Sequence, residues 1–127
     1  MDIAELNAEN TGYAQHIGMV ITECSDKRVA AYIDVGPQHL QPAGIVNGGV
    51  YASLGETLGS LAAMINSEKP AVGMSNNTDF LRPVSEGRIE AEATAVHTGR
   101  TTHLWRIEMR NNGKLAAITN LKLMIQG

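Results

Sequence analysis

The stretch from residue 44 to residue 60, GIVNGGVYASLGETLGS, combines residues that could carry chemistry with the spacing of a helix. Asn47 stands directly before Gly48 and Gly49. Asparagine is a favoured N-cap, and the first N–H groups of a helix have no partner within the helix. An unpaired N–H of Gly48 or Gly49 would therefore lie at the positive end of the helix dipole, where it could stabilise a developing oxyanion.

Glu56 is the second chemical group of this stretch. A carboxylate held in a partly dry site can serve as a general base or as a nucleophile. Gly48 and Glu56 are separated by about 12 Å along a helix axis, which is too far for one helix to place both on one reacting carbon. Two antiparallel helices related by a two-fold axis would bring Gly48 of one chain near Glu56 of the other. The alternative is a solvated surface glutamate.

The apolar residues of the same segment predict a helix from Asn47 to about Ile65. The stripe expected to pack on a sheet consists of Val50, Leu54, Leu58, Leu61 and Ile65. The opposite side is made mostly of small residues, namely Gly49, Ala52, Ser53, Glu56, Gly59, Ser60 and Ala63. An ordinary solvated face would be rich in charged residues, so we expect a second copy of the chain to approach this side. The alternative is a neighbouring loop of the same chain.

The remaining segments predict strands joined by short turns. Asp2 can cap a short helix over residues 2 to 10. Two-residue alternation and β-branched runs predict strands over 16–24, 28–35, 71–81, 86–97, 102–110 and 114–125, with an Asn112-Gly113 hairpin turn before the last. An antiparallel sheet with one long helix on its inner face is the economical arrangement, so the predicted class is α+β.

The composition limits the possible functions. The 127 residues fit one domain spanning 1–127, and 43% hydrophobic with 18% charged residues is typical of a folded protein. A net charge of -3 and ten scattered basic residues disfavour nucleic acid as a partner. The four histidines show no metal-ligand spacing, and the single Cys24 excludes an internal disulfide, so we expect no metal and no cofactor. The acidic start and the lack of a long apolar run predict a cytoplasmic protein that does not enter membranes.

Three segments resemble the hotdog-fold acyl-CoA thioesterases: QPAGIVNGGVYASLGETLGSLAA, LRPVSEG and HTGRTTHLWRIEM, which together span roughly residues 39 to 110. The similarity is to the branch with the phenylacetate-pathway, enterobactin-proofreading and Arthrobacter-type 4-hydroxybenzoyl-CoA thioesterases. It implies an antiparallel sheet wrapped around one long central helix. It also implies hydrolysis of acyl-CoA thioesters, with aromatic or medium-chain acyl groups favoured, by a homodimer or by a tetramer built as a dimer of dimers.

The resemblance assigns roles to residues of the central motif. Glu56 matches the catalytic carboxylate, which acts as nucleophile or general base in the family. Gly48 matches the glycine whose N–H polarises the thioester carbonyl, and Gln41 matches a glutamine that orients substrate or water. Ser60 matches a hydroxyl position that contacts the site.

Asn47 departs from the family pattern, which commonly has histidine at this position. Asparagine can cap the helix but cannot carry a proton at neutral pH. If the family histidine mainly holds the backbone and the carbonyl in place, Asn47 should preserve activity. If that histidine moves protons, activity would be reduced or directed to another substrate.

The resemblance also indicates where the substrate binds. Arg82 and Arg100 are the expected partners of the CoA phosphates, and Thr101 adds a hydroxyl. An exposed turn arginine and an Arg82–Glu86 ion pair are the structural alternatives. Gly49 is expected on the substrate side of the helix start. Phe80 and Leu81 either line the acyl pocket or pack in the core.

Three other functions remain open from the sequence. A binding module for acyl-CoA or acyl-carrier proteins would keep the fold and lose the chemistry at Asn47. A proofreading thioesterase would take its acyl group from a carrier protein. A dehydratase on the same fold would need a histidine acid or base, and His39 is the only histidine near the motif.

Overall fold

In the computed structural model, which describes residues 2–127, one six-stranded antiparallel sheet wraps around a 20-residue helix. The elements are α1 (Ile3–Glu9), α2 (Tyr13–His16), β1 (Val20–Cys24), β2 (Arg28–Asp34), a 3₁₀ helix (Pro37–His39), α3 (Gly48–Ser67), β3 (Ala71–Phe80), β4 (Arg88–Thr98), β5 (Thr102–Asn111) and β6 (Lys114–Ile125). The strand order is β1-β2-β4-β5-β6-β3. The predicted α+β class, with one long helix against an antiparallel sheet, is confirmed.

Helix α3 packs on the sheet through a stripe that differs in part from the predicted one. Leu54 and Leu58 are fully buried as predicted. The other members of the predicted stripe, Val50, Leu61 and Ile65, are only half-buried, whereas Tyr51 and Ala62 are buried. The buried stripe is therefore rotated toward the glycines at positions 55 and 59, because these two residues let the helix come closest to the strands.

Gly55 and Gly59 lie directly against the sheet. A β-carbon on Gly55 would overlap the side chain of Thr119, and a β-carbon on Gly59 would stand 2.6 Å from Cδ2 of Leu121. Gly59 and Ala63 are buried within their own chain. The expectation that they face a second copy is wrong, and the sheet of the same chain explains their small size.

The strands alternate largely as predicted. On β5, His103, Trp105, Ile107 and Met109 all point into the core and are almost fully buried. The Trp105 indole N–H donates to Nδ1 of His103 at 3.1 Å. Burial, with a smaller contribution from His97, lowers the pKa of His103 below its usual 6.5.

Two details of the predicted strands are wrong. Ala95, which the alternation placed on one side with Ala91 and Ala93, is exposed, and the regular pairing of β4 ends there with a β-bulge between Ala95 and His97. The first strand begins at Val20 and not at residue 16, since residues 13–16 form α2 and Gly18 turns the chain at φ +80°.

The two edges of the sheet differ in whether another segment of the chain covers them. At the β1 edge, the side-chain amide of Asn7 accepts the Ile21 N–H at 2.8 Å and donates to the Ile21 carbonyl at 2.9 Å. Asp2 caps α1, the helix that carries Asn7, by accepting the Glu5 N–H at 2.8 Å. At the other edge, the ten residues of β3 pair with β6 only, and no other strand among residues 2–127 covers them. The β3 edge is thus open to another strand.

Candidate active site

A cleft of about 540 Å³ opens at the N-terminus of α3. It is lined by Gln41, Ile45, Val46, Gly48, Tyr51, Phe80, Leu81, Arg82 and Pro83. The fold therefore brings five of the predicted site residues to one place, namely Gln41, Gly48, Phe80, Leu81 and Arg82. Both Phe80 and Leu81 are more than half exposed, so they line the cleft and are not core residues.

The loop before α3 positions Gln41 through a short set of backbone bonds. The Gln41 N–H donates to the Ile45 carbonyl at 2.8 Å, and the Gly44 N–H donates to the Gln41 carbonyl at 2.9 Å. Gly44 adopts φ +84°, a conformation that favours glycine. The Val46 N–H then bonds to the Val84 carbonyl at 2.8 Å, which ties the loop to the segment after β3.

His39 is a structural residue of this loop. Its side chain is only 2% exposed. Its Nδ1 accepts the Gly36 N–H at 2.9 Å, so Nε2 carries the proton and donates to the Ile17 carbonyl at 2.8 Å. The His39 carbonyl accepts the N–H of Asn47 at 2.8 Å. Because both ring nitrogens bond to backbone, the dehydratase alternative loses its only candidate acid or base.

The N-terminus of α3 carries the unpaired donor that the sequence predicts. Asn47 is the N-cap, and its Oδ1 accepts the Gly49 N–H at 2.7 Å. The Val50 N–H bonds to the Asn47 carbonyl at 2.9 Å. The N–H of Gly48 donates to no atom of residues 2–127. Of the two glycines that the sequence offered as donors, only Gly48 therefore has an unpaired N–H.

Phe80 lies directly over Gly48. A β-carbon on Gly48 would stand 2.6 Å from Cζ of the Phe80 ring, closer than real contacts of this kind. The absence of a side chain at position 48 therefore leaves room for the ring.

Glu56 and Ser60 lie outside the cleft in a single chain. Glu56 is exposed, and its Oε2 is 3.8 Å from the position that a β-carbon on Gly73 would take. Ser60 is half-buried one turn later on α3. The partial desolvation expected for Glu56 is not found within one chain. The carboxylate instead lies beside β3, the strand with the open edge.

Arg82 and Arg100 lie at opposite ends of β6. The Arg82 N–H bonds to the Ala116 carbonyl, whereas the Ile125 N–H bonds to the carbonyl of Thr101, next to Arg100. Nine residues of strand separate these two anchor points, or about 30 Å. One chain cannot bring both arginines to the same phosphate group.

These two arginines have no ion-pair partner in the described chain. The other four arginines all pair with carboxylates: Arg28 with Glu23 and Glu92, Arg88 with Asp34, and Arg106 and Arg110 with Glu108. Hydrogen bonds from these guanidinium groups hold the pKa of Glu92 and of Glu108 below its usual value. The alternative ion pair of Arg82 with Glu86 does not form among the described residues. Both candidate phosphate ligands thus keep their donors available for an anion.

The structure adds polar groups that the sequence pattern did not single out. Asn76 of β3 donates to the Ala52 carbonyl of α3 at 3.0 Å and accepts from Thr78 Oγ1 at 2.6 Å. The Thr78 hydroxyl also lies 2.7 Å from that of Thr119. The polar run SNNTD, residues 75–79 of β3, is the sequence signal that could have indicated these groups. Tyr51, which the predicted apolar stripe of α3 did not include, lies on the buried side of the helix.

The described residues show neither a metal centre nor a membrane span. No three His, Cys, Asp or Glu side chains of residues 2–127 converge as metal ligands would. Within the same range, every helix is too short or too polar to cross a membrane.

Comparison with known proteins identifies the family. The model of the thioesterase superfamily matches residues 43–117, which include Gly48, Glu56 and the strands β3 to β5. This chain belongs to the thioesterase superfamily. The match starts at the loop that shapes the cleft and continues into β6.

Relatives and solved structures agree with this assignment. The chain is 37% identical over 111 residues to the proofreading thioesterase EntH of Klebsiella pneumoniae, covering 84% of this chain and 80% of the relative. Thioesterase HI1161 of Haemophilus influenzae superposes with a TM-score of 0.94 at 32% identity, covering 100% of this chain and 92% of that one. A variant of thioesterase PA1618 from Pseudomonas aeruginosa gives 0.92 at 31%, covering 98% and 94%. The fold is the hotdog fold of these thioesterases.

Proposed function

We propose that this thioesterase hydrolyses acyl-CoA thioesters, with aromatic or medium-chain acyl groups favoured, at a site shared by two chains. The observation that carries the proposal is the unpaired N–H of Gly48, which lies beside Gln41 in the cleft at the start of α3. A thioester needs its carbonyl oxygen polarised and an attacking oxygen activated. Gly48 can supply the first requirement, and a carboxylate must supply the second.

In the proposed reaction, the Gly48 N–H donates to the thioester carbonyl oxygen. Glu56 of the second chain either takes a proton from a water that attacks the carbonyl carbon, or attacks that carbon itself. The C–S bond breaks, and the sulfur leaves with the electron pair and takes up a proton to give CoA. In the direct-attack route the anhydride formed with Glu56 is then cleaved by water. Both routes end with the free acid and CoA.

The open β3 edge supports a two-fold dimer. Glu56 lies beside Gly73 near one end of β3, and Gly48 lies under Phe80 at its other end. If two β3 strands pair antiparallel about an axis between Asn76 and Asn77, Gly73 of one chain comes opposite Phe80 of the other. Glu56 of each chain would then face the cleft of its neighbour. The α1 segment that blocks the β1 edge leaves β3 as the edge available for this pairing.

The same two-fold relation bears on CoA binding. Arg82 lies at the end of its chain that forms the cleft. In an antiparallel dimer, the opposite end of the neighbouring chain, which carries Arg100 and Thr101, would lie near that cleft. Arg82→Ala should therefore raise KM for acyl-CoA about tenfold or more with little change in kcat, because a charge-assisted bond to phosphate is worth about 1.5–3 kcal/mol. Arg110→Ala, which removes an ion-paired arginine of the sheet, is the matched control and should leave KM unchanged.

Asn47 is compatible with catalysis in this proposal. Its Oδ1 is occupied by the cap on Gly49, so the residue holds the backbone at the point where Gly48 must present its N–H. This geometry supports the view that asparagine substitutes for the positioning role of the family histidine. Asn47→His should then change kcat by less than about tenfold.

Release of free thiol from a panel of acyl-CoA thioesters tests the proposal. Wild-type protein should turn over at least one substrate, and Glu56→Ala should lose most of that rate. Each acyl group is also presented on an acyl carrier protein, so that a preference for the carrier would identify a proofreading role. Binding of acyl-CoA without turnover above the Glu56→Ala control would refute hydrolysis and identify a binding module.

A further inference from the structure

The hydroxyl of Tyr51 is buried without a hydrogen-bond partner. It is the only buried side-chain polar atom in this condition among residues 2–127, and the residue is 3% exposed. Burial raises the pKa of Tyr51, so the phenol stays protonated at neutral pH and can donate. An unpaired buried hydroxyl has lost its hydrogen bonds to water and gained none in return, which destabilises the folded chain. Native proteins rarely keep such a group without a reason.

Tyr51 belongs to the same cleft as Gly48. It follows the N-cap Asn47 by about one helical turn and lines the cleft from the α3 side. Its ring packs against Phe80, with 6.0 Å between ring centroids and a tilt of 41°. Phe80 in turn covers Gly48 and is 60% exposed, so little packing fixes this ring in place.

The rest of the cleft wall is largely apolar. Its aliphatic members are Ile45, Val46, Leu81 and Pro83, and its polar side chains besides Tyr51 are Gln41 and Arg82. An acyl group that enters this cleft would meet hydrocarbon on most sides, together with one buried hydroxyl that has no hydrogen-bond partner. A pocket of this composition fixes the orientation of its ligand through its few polar groups.

We propose that Tyr51 determines the acyl specificity of this thioesterase, by donating a hydrogen bond to an acceptor atom on the acyl group. The preferred substrates are therefore thioesters whose acyl part carries an oxygen or another acceptor where it meets Tyr51. This inference rests on the proposed function. A hydrocarbon acyl group of the same shape would leave the hydroxyl unpaired, and sites built around a hydrogen bond reject such analogues strongly.

Isosteric pairs of aryl thioesters test the assignment. Each pair consists of a methoxybenzoyl-CoA and the ethylbenzoyl-CoA with the same ring position, so that an ether oxygen replaces one CH₂ group. The three ring positions move the oxygen across the cleft. Dissociation constants are measured by calorimetry on the Glu56→Ala protein, and kcat/KM is measured on the protein with Glu56 intact.

We expect at least one methoxy compound to bind about fivefold more tightly than its ethyl partner, since a net hydrogen bond contributes about 1 kcal/mol. Tyr51→Phe, combined with Glu56→Ala, should bring this ratio close to one. Tyr32→Phe is the matched control, because Tyr32 lies on β2 beneath the Arg88 guanidinium and away from the cleft. It should keep the preference. Tyr51→Phe should also keep or raise the melting temperature, because it removes a hydroxyl that has no partner.

The assignment is overturned if no pair differs in affinity, if the preference survives Tyr51→Phe, or if none of the thioesters binds. It is also overturned if Tyr51→Phe lowers the melting temperature by several degrees, since the hydroxyl would then have a structural partner. A Tyr51-dependent binding preference without any turnover would refute the proposed hydrolysis and leave the role of Tyr51 supported.

Discussion

Replacing Gly48 with proline would remove the donor on which the proposed catalysis depends. Gly48 is the first residue of α3, a position where proline is well tolerated because its N–H has no partner inside the helix. The preceding residue, Asn47, has φ −64° and ψ 136°, which is the extended conformation that a following proline requires. Gly48→Pro should therefore fold and still lack the single N–H in question.

The magnitude follows from the loss of one preorganised donor. Removing one oxyanion-hole donor costs about 100- to 1,000-fold in kcat, or about 2.7–4 kcal/mol of transition-state stabilisation. KM should change much less, because the donor acts mainly on the charge that develops during the reaction.

Gly48→Ala is the matched control for this change. Alanine and proline both add a β-carbon beneath the Phe80 ring, 2.6 Å from Cζ in the present arrangement. Both variants therefore force the exposed ring to turn, but only proline removes the N–H. The ratio of kcat between the two variants isolates the donor from the steric effect.

Steady-state thiol release on the best acyl-CoA, together with thermal unfolding of both variants, provides the measurement. A folded Gly48→Pro protein with kcat within about threefold of Gly48→Ala would show that the Gly48 N–H does not polarise the carbonyl. The proposed role of the α3 N-terminus would then have to be abandoned.

Three further predictions concern the assembly and the stability of the chain. Mixing Gly48→Pro chains one to one with Glu56→Ala chains, and allowing them to reassociate, should restore about 25% of wild-type activity. Half of the dimers are then mixed, and each mixed dimer holds one intact site out of two. No recovery would place both groups in one chain. Gly55→Ala should lower the free energy of unfolding by about 1–3 kcal/mol through steric overlap, of which the higher helix propensity of alanine recovers about 1 kcal/mol. Gly59→Ala should cost less, because its β-carbon would meet the flexible methyl ends of neighbouring side chains. Equal losses of unfolding free energy in denaturant titrations of the two variants would contradict this order. Because the pKa of His103 is lowered in the folded state, the unfolded chain binds more protons than the folded chain as the pH falls through 6.5. The free energy of unfolding should therefore decrease from pH 7 toward pH 5, and His103→Gln should flatten that slope.

Much of the fold could be predicted from local patterns. Two-residue alternation placed β2 to β6 within a few residues, and the cap by Asn47 located the start of α3. Such features depend on the conformation and hydrogen bonding of residues close in the chain. The error in the first strand also has a local cause, because a left-handed glycine at position 18 interrupts a pattern that periodicity assumes to be continuous.

The candidate site was predictable only in part. The residue types at Gly48 and Glu56, and the helical distance between them, were enough to predict that one chain could not hold both on one carbon. The roles of Gln41, Ser60 and Arg82 came from the resemblance to a family, because nothing in their local spacing indicates a function.

Local sequence thus specifies most of the elements, the N-cap that leaves one N–H unpaired, and the separation of that donor from the carboxylate. These properties follow from bond geometry and from neighbours along the chain. Three other properties arise from packing between distant segments: Gly55 and Gly59 face the sheet, both nitrogens of His39 are bonded, and the Tyr51 hydroxyl is buried without a partner. Each of these depends on atoms brought together from distant parts of the chain, and side-chain periodicity carries no information about which polar atoms meet there.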